Sequence, residues 1–200
     1  MKPINVGLLG IGTVGGGTWN VLARNREEIQ RRAGREIRIS MVADQDVAKA
    51  RRLTAGAAQV VADGNDVVGN RDIDIVVELI GGYTVAKDLV LKAIANGKHV
   101  VTANKAMLAT HGNEIFAAAQ AKSVIVAFEA AVAGGVPIIK ALREGLTANH
   151  IEWIAGIING TSNFILSEMR DKCLAFGEVL KEAQKKGYAA IGRASCRERA

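Results

Sequence analysis

Cysteine, proline and aromatic residues are scarce in this sequence, and each scarcity excludes a class of protein. Its 200 residues include two cysteines and two prolines, and the aromatic fraction is 4%. Cys173 and Cys196 are too few for a disulfide framework, and neither stands in a metal-ligand spacing. We therefore expect reduced thiols in a cytoplasmic protein. The few aromatic rings leave little surface on which nucleic-acid bases could stack.

Long apolar runs and a strong charge of one sign are missing as well. No apolar run reaches the roughly 18 uncharged residues that a membrane span needs, and no cleavage pattern follows the N-terminus. We therefore expect neither a membrane partner nor a signal peptide. The net charge is +6, from 26 basic and 20 acidic residues. Because these charges are scattered, we interpret them as solvated surface and expect no nucleic-acid partner.

Strand and helix patterns alternate over the first 130 residues. Short apolar runs predict buried parallel strands, and apolar residues every three or four positions predict helices between them. The predicted strands are residues 4–9, 37–43, 73–80, 99–102 and 124–128, and the predicted helices are residues 13–33, 48–55, 85–95 and 113–121. This alternation predicts an α/β fold with a doubly wound, Rossmann-type parallel sheet.

The sequence changes in character after residue 130. The segment that follows is rich in alanine and glycine, and its patterns predict helices over residues 136–145, 164–170 and 176–186 and a strand over residues 150–159. We therefore predict two domains, a nucleotide-binding domain over residues 1–130 and the start of an α+β catalytic and dimerisation domain over residues 131–190.

A glycine-rich turn follows the first predicted strand and opens the first predicted helix. Its glycines are Gly10, Gly12 and Gly15, in the spacing G-x-G-x-x-G. The first allows a tight turn, the second lets a pyrophosphate approach the backbone, and the third lets helix and strand pack closely. In this strand–turn–helix context the motif predicts dinucleotide binding, and the alternative is a purely structural turn.

An acidic residue, Asp44, stands at the end of the second predicted strand. A carboxylate there can accept hydrogen bonds from the adenosine ribose of NAD and would repel the 2′-phosphate of NADP. Arg51 and Arg52 lie close in sequence and could soften that preference. The alternative is that Asp44 begins a turn or, with Asp46, caps the next helix.

Five segments of the sequence resemble the homoserine dehydrogenase family. They are residues 7–15 (GLLGIGTVG), 76–82 (VVELIGG), 101–106 (VTANKA), 129–140 (EAAVAGGVPIIK) and 151–166 (IEWIAGIINGTSNFIL). The resemblance extends from about residue 4 to residue 189. It implies NAD(P)-dependent interconversion of L-homoserine and L-aspartate 4-semialdehyde, in the biosynthesis of threonine, isoleucine and methionine. It also implies that the full-length protein is a homodimer.

The resemblance assigns cofactor roles to individual residues. It places Thr13 and Val14 at the pyrophosphate turn, beside the three glycines, and Gly81 where the cofactor passes over the sheet. It makes Lys105 a residue that contacts cofactor or substrate, or that passes a proton to the alcohol oxygen. The alternative for Lys105 is a surface lysine at a helix start, where a cation is unfavourable.

The resemblance also implies a cation site and a substrate site. Glu129 resembles the family's ligand of a monovalent cation such as Na⁺, although its loop could equally be an ordinary hinge between domains. The backbone carbonyls of Val132, Gly134 and Val136 would complete that cation site. Gly160, Thr161 and Tyr188 resemble substrate-binding residues, and the first two could also form a helix N-cap.

The resemblance ends abruptly near the C-terminus. Where the family pattern expects a substrate-binding glutamate, the sequence has Ala190, and the expected catalytic aspartate and lysine have no counterpart. We therefore predict an N-terminal fragment of the enzyme, with a non-native segment over residues 191–200. Two hypotheses follow, an NAD(P)-dependent homoserine dehydrogenase by family and an NAD(P)-binding fragment without catalytic activity.

Overall fold

The computed structural model describes residues 2–156, 160–186 and 188. By its internal contacts the chain divides into two compact units, one ending at Gly145 and the other beginning at Leu146. The predicted boundary near residue 130 and the predicted non-native segment stay predictions, and residues 191–200 lie outside the described residues. Within the described residues, no helix combines the length and the apolar character needed to cross a membrane.

The first unit contains a six-stranded parallel sheet, which confirms the predicted fold class. Its strands are β1 (Ile4–Leu9), β2 (Ile37–Ala43), β3 (Gln59–Val61), β4 (Ile75–Glu78), β5 (His99–Thr102) and β6 (Val126–Ala127). They are arranged in the order β3-β2-β1-β4-β5-β6. The order reverses between β1 and β4, and in open α/β sheets ligands bind at such a switch point, outside the carboxyl ends of the strands.

Helices cover both faces of this sheet. They are α1 (Thr13–Arg24), α2 (Arg26–Ala33), α3 (Val47–Thr54), α4 (Gly64–Gly69), α5 (Thr84–Ala95) and α6 (Lys105–Ala121). Successive side chains of a strand point to opposite faces. Accordingly, Leu8 belongs to one buried cluster with Val42, and Leu9 belongs to another with Val90 and Ile115. Burial on both faces explains why the strands read as continuous apolar runs.

Two predicted helix boundaries in this unit are wrong, and two short elements were missed. The helix predicted over residues 13–33 is broken at Asn25. None of the residues of α2 is fully buried, so no core contact holds them in line with α1. The short elements β3 and α4 carry too few residues to show a period, and both were missed. The helix predicted from residue 113 begins at Lys105, because the side chain of Asn104 caps it there by accepting from the N–H of Met107.

The last part of the first unit consists of short turns. A 3₁₀ turn (Glu129–Ala131) is followed by α7 (Ile138–Lys140) and a π-helical turn (Ala141–Gly145). The helix predicted over residues 136–145 therefore starts two residues late, directly after Pro137. Ala133 and Gly134 are both left-handed, with φ of +54° and +59°.

The second unit contains a helical hairpin. Helices α8 (Gly160–Lys172) and α9 (Phe176–Lys185) pack through Ile165, Val179 and Ala183. These helices confirm two predicted elements. The strand predicted over residues 150–159 is wrong for residues 150–156, which pair with no strand among the described residues, and its last three residues lie outside them. An extended segment becomes a strand only when a neighbour supplies the ladder of hydrogen bonds.

Candidate functional site

The glycine-rich turn joins β1 to α1, and its three glycines have different surroundings. Gly10 has a left-handed φ of +88°, which favours glycine. A Cβ on Gly15 would lie 2.0 Å from the carbonyl oxygen of Gly10, so the close approach of helix and turn requires glycine. A Cβ on Gly12 would meet no atom of the described residues within 4 Å. The fold therefore requires glycine at positions 10 and 15, whereas position 12 faces open space.

Backbone N–H groups of α1 face the same opening. Gly12 precedes the helix, and no side chain of the described residues caps it there. Thr13 and Val14, which begin the helix, are exposed. Uncapped N–H groups and the positive end of the helix dipole attract anions such as a pyrophosphate. The turn thus has the geometry of an anion-binding site.

Asp44 follows β2 and lies beside this turn. Its Oδ2 accepts a hydrogen bond from the backbone N–H of Ile11 at 2.7 Å, and its Oδ1 accepts one from that of Asp46 at 2.8 Å. Asp46 in turn caps α3 by accepting from the N–H of Lys49. Asp44 therefore does hold a turn, as the alternative interpretation expected. Because each carboxylate oxygen has a second lone pair, Asp44 can also accept from a ribose hydroxyl.

A cavity of about 630 Å³ opens beside the turn at the carboxyl edge of the sheet. Three carboxylates contribute to its lining, those of Asp44, Asp63 and Asp88. The pKa of Asp63 is lowered, chiefly because the backbone N–H of Asn65 donates to it at 2.8 Å, so this carboxylate is ionised. Lys92 is the one basic side chain that the described residues contribute to the lining.

The two arginines that could soften the preference for NAD are placed differently. Arg51 and Arg52 lie in the last turn of α3 and are exposed. Neither contributes to the lining of the 630 Å³ cavity. Among the described residues, the cavity beside Asp44 is therefore lined by carboxylates and by no guanidinium group.

Polar side chains form a second set of contacts at the carboxyl ends of β4 and β5. Glu78 is fully buried, and its Oε2 accepts from the hydroxyl of Thr102 at 2.6 Å. The Thr102 oxygen accepts from the backbone N–H of Asn104 at 3.0 Å. These residues were missed as site residues by sequence reasoning. The signal was present, because Glu78 interrupts the apolar run of residues 75–80.

Lys105 is the first residue of α6 and is exposed. No acidic side chain among the described residues pairs with its ammonium group. A second cavity, of about 220 Å³, is lined by Lys105 together with Val14 and Gly81. The structure thus brings three of the predicted cofactor residues, from three separate sequence segments, to one place at the sheet edge.

Glu129 makes contacts that sequence reasoning did not expect. Its Oε1 and Oε2 accept hydrogen bonds from the backbone N–H groups of Ile139 and Lys140, both at 2.9 Å. The carboxylate therefore caps the start of α7. The carbonyl of Val136, one of the predicted cation ligands, accepts from the N–H of Ile138 at 2.8 Å. The other two carbonyls predicted for the cation belong to Val132 and Gly134, in the same loop.

The predicted substrate residues lie in the second unit. Gly160 begins α8, and among the residues that the structure describes no atom lies within 4 Å of a Cβ built there. The hydroxyl of Thr161 donates to the backbone carbonyl of Tyr188. The ring of Tyr188 is exposed and packs edge-on against Phe164, with ring centroids 5.1 Å apart. All three residues are therefore in one neighbourhood.

Family models match most of the chain. One described as "Homoserine dehydrogenase, NAD binding domain" matches residues 10–129, and one described as "Homoserine dehydrogenase" matches residues 137–191. Among curated proteins, the homoserine dehydrogenase of Pseudomonas aeruginosa is 65% identical over 193 residues, which cover 94% of this chain and 43% of that protein. The chain thus spans less than half the length of the curated relatives it matches.

The solved structures that resemble this chain are also homoserine dehydrogenases. The crystal structure of a homoserine dehydrogenase from Thiobacillus denitrificans is 68% identical, with a TM-score of 0.88 over 96% of this chain and 44% of that one. A hyperthermophilic archaeal homoserine dehydrogenase in complex with NADPH is 24% identical, with a TM-score of 0.79 over 95% of this chain and 63% of that one. This second likeness concerns the fold alone.

Proposed function

The chain belongs to the homoserine dehydrogenase family, and from this premise we propose that it binds NAD(P) across the carboxyl edge of its sheet. In the whole enzyme this site serves the interconversion of L-homoserine and L-aspartate 4-semialdehyde. The observation that carries the proposal is the open turn at Gly12. The turn has no side chain at this position, and the uncapped N–H groups at the start of α1 face the same opening. A dinucleotide pyrophosphate fits this combination of space and partial positive charge.

The two cavities beside the turn divide the cofactor between them. The 630 Å³ cavity, next to Asp44, takes the adenosine half, and the 220 Å³ cavity, next to Lys105, takes the nicotinamide half. This assignment follows from the strand order, because a dinucleotide crosses the sheet where the order reverses, with one half on each side. The carboxylates around the larger cavity favour NAD over NADP.

The chemistry needs a hydride and a proton. When bound, the cofactor supplies or accepts the hydride at the carbon that is aldehyde in one direction and alcohol in the other. In the reducing direction, the ammonium of Lys105 donates the proton that the new alcohol oxygen requires. Thr161 and Tyr188, with Gly160, hold the amino-acid portion of the substrate.

Cofactor binding by the 200-residue chain tests this proposal. We expect the nicotinamide fluorescence of NADH to change saturably when the purified chain is titrated in. The control is Gly12→Val, which places a branched side chain in the open turn and should abolish the change while the chain stays folded. Equal binding by Gly12→Val, or no binding by the parent chain, would contradict the proposal.

We further propose that the chain binds cofactor without catalytic turnover. The support is in the sequence, where Ala190 replaces the glutamate that the family pattern expects and the expected aspartate and lysine are absent. With L-homoserine and NAD⁺ or NADP⁺, absorbance of the reduced cofactor should rise only at the background rate. A clear homoserine-dependent rise would refute this part of the proposal.

A monovalent cation at Glu129 remains part of the proposal for the whole enzyme. Its carboxylate oxygens already accept two backbone N–H groups, but an ionised carboxylate has about four lone-pair positions, so two remain for a hard cation. Thermal unfolding of the chain in Na⁺ and in a large organic cation tests this site. We expect Na⁺ to raise the melting temperature, and no difference would exclude the site in this chain.

The organisation of the whole enzyme completes the proposal. Residues 1–130 form its cofactor domain, residues 131–190 begin its substrate and dimerisation domain, and residues 191–200 are foreign to it. We propose a cytoplasmic homodimer. Sequencing the locus tests the last segment, since a continuous genomic reading frame through residue 200 would show that it is native. Light scattering by the full-length gene product tests the dimer.

A further inference from the structure

We propose that Glu78 is a positioning residue that fixes the nicotinamide side of the cofactor site through Thr102 and Asn104. The inference rests on the proposed function, because it concerns the same cofactor. It adds three residues to which neither the family resemblance nor the comparisons give a role.

A fully buried carboxylate is unfavourable unless donors satisfy it. Glu78 has no exposed surface, and no lysine or arginine pairs with it in the described part of the chain. Its two oxygens accept instead from the backbone N–H of Ile80 at 3.0 Å and from the hydroxyl of Thr102 at 2.6 Å. A carboxylate accepts hydrogen bonds only, so it determines the direction of every bond around it.

The first consequence is that the hydroxyl of Thr102 has one orientation. Thr102 has no exposed surface, and its single proton is donated to Glu78. Its oxygen can therefore only accept from its other neighbour, and it does so from the backbone N–H of Asn104 at 3.0 Å. This bond fixes the backbone immediately before Lys105.

The second consequence is that the Gly81–Gly82 turn is held from both sides. Glu78 holds the N–H of Ile80, which precedes the turn, while the side-chain amide of Asn104 donates to the carbonyl of Gly82 at 2.5 Å. Both glycines are left-handed, with φ of +73° and +68°. The turn borders the 220 Å³ cavity, and so does the first residue of α6.

These contacts join two backbone segments that line the 220 Å³ cavity, one after β4 and the other after β5. Glu78 is the last residue of β4 and Thr102 the last residue of β5, and the two are 24 residues apart in sequence. The hydrogen bond from the hydroxyl to the carboxylate therefore links the carboxyl ends of the two strands. Asn104 then caps α6 and holds the glycine turn with the same side chain. Rigid placement of both segments prepares the cavity before the cofactor enters, which improves binding without further contacts.

The test compares two ligands and three variants of the chain. ADP-ribose carries the adenosine half and the pyrophosphate, whereas NADH adds the nicotinamide. Thr102→Val removes the hydroxyl and keeps the shape, and Thr102→Ser restores the hydroxyl. Thr54→Val is the matched control, because Thr54 is also buried but lies on α3, away from both cavities.

We expect Thr102→Val to weaken NADH binding about tenfold, as the loss of one or two buried hydrogen bonds predicts, while ADP-ribose binding changes less than about twofold. Thr102→Ser should recover most of the NADH affinity, and Thr54→Val should leave both affinities near those of the parent chain. The emission maximum of bound NADH, which reports the surroundings of the nicotinamide, should shift in Thr102→Val only.

Two outcomes would overturn the inference. One is unchanged NADH affinity in Thr102→Val, and the other is an equal loss for ADP-ribose and NADH, which would indicate a general structural role. If Thr102→Val does not fold, Asn104→Ser replaces it, because serine is also a good cap for α6 but has no amide group to donate to Gly82. Failure of the proposed function is distinguishable, since the parent chain would then bind neither ligand.

Discussion

The carboxylate of Asp44 accepts a hydrogen bond from the backbone N–H of Ile11 at 2.7 Å. The bond ties the end of β2 to the middle of the glycine-rich turn, between Gly10 and Gly12. It also brings a negative charge to the edge of the larger cavity. The Asp44 side chain thus holds the turn in place and contributes a negative charge to the lining of the 630 Å³ cavity.

Substituting Asp44 should change the choice between the two cofactors. Asp44→Ser removes the charge but keeps an oxygen that can accept from the N–H of Ile11. We expect affinity for NADPH relative to NADH to rise about tenfold, because the 2′-phosphate no longer faces this carboxylate. Competition binding of NADPH against NADH measures the ratio. Asp46→Ser, which retains a good helix cap, is the control and should leave the ratio unchanged.

The glycines of the turn should separate binding from folding. Gly12→Ala adds a methyl group that meets no atom in the described part of the chain, so we expect little change in melting temperature but clearly weaker NADH binding. Gly15→Ala brings its Cβ within 2.0 Å of the Gly10 carbonyl oxygen, so we expect a loss of several kcal/mol in stability. Thermal melts and NADH titrations of both variants decide the matter. The interpretation fails if the two variants lose stability equally.

The sequence could predict those parts of the site that depend on residues close together in the chain. The turn at Gly10, Gly12 and Gly15 depends on one short segment, and so does the capping of α3 by Asp46. The bond between Glu78 and Thr102 joins residues 24 positions apart, and nothing in either segment indicates that their strands are neighbours. Non-local contacts of this kind can be predicted only once the order of the strands in the sheet is known.

The fold shows the same division between local and non-local causes. The runs that became β1 and β2 are mostly apolar, so the pattern alone identified them. The break at Asn25 depends instead on which residues find a partner surface, because no residue of α2 is fully buried. The segment of residues 150–156 has strand-like alternation, but a strand also needs a neighbour, which no pattern within the segment can supply.

The double contact of Glu129 should be visible in stability. Glu129→Gln keeps one accepting oxygen but turns an amide group toward the second backbone N–H, so that N–H loses its partner. We expect the free energy of unfolding to fall by about 1–2 kcal/mol. Urea unfolding measures it, with Glu144→Gln as the control, since Glu144 lies in an exposed pair with Lys140 that contributes little. Equal losses in both variants would contradict the cap.

Lys98 should give the fold a dependence on alkaline pH. Its side chain is 4% exposed, and its ammonium donates to the carbonyls of Asn70 and Ile73 at 2.5 and 2.9 Å. Burial lowers the pKa of Lys98 from the ordinary lysine value of 10.5, and the charges of Asp74 and Asp72 oppose this only in part. Between the folded and unfolded pKa values, the unfolded chain therefore binds more protons than the folded one.

Stability contributed through Lys98 consequently rises with pH in the window below 10.5. Lys98→Met has a side chain of similar length that does not titrate, so the difference in unfolding free energy, parent minus variant, should increase between about pH 8 and about pH 10. Urea unfolding at both pH values and constant ionic strength gives this difference. Lys122→Met, at an exposed position, is the control and should show no such increase. A difference for Lys98→Met that stays constant or falls would mean that its ammonium is not destabilised by burial.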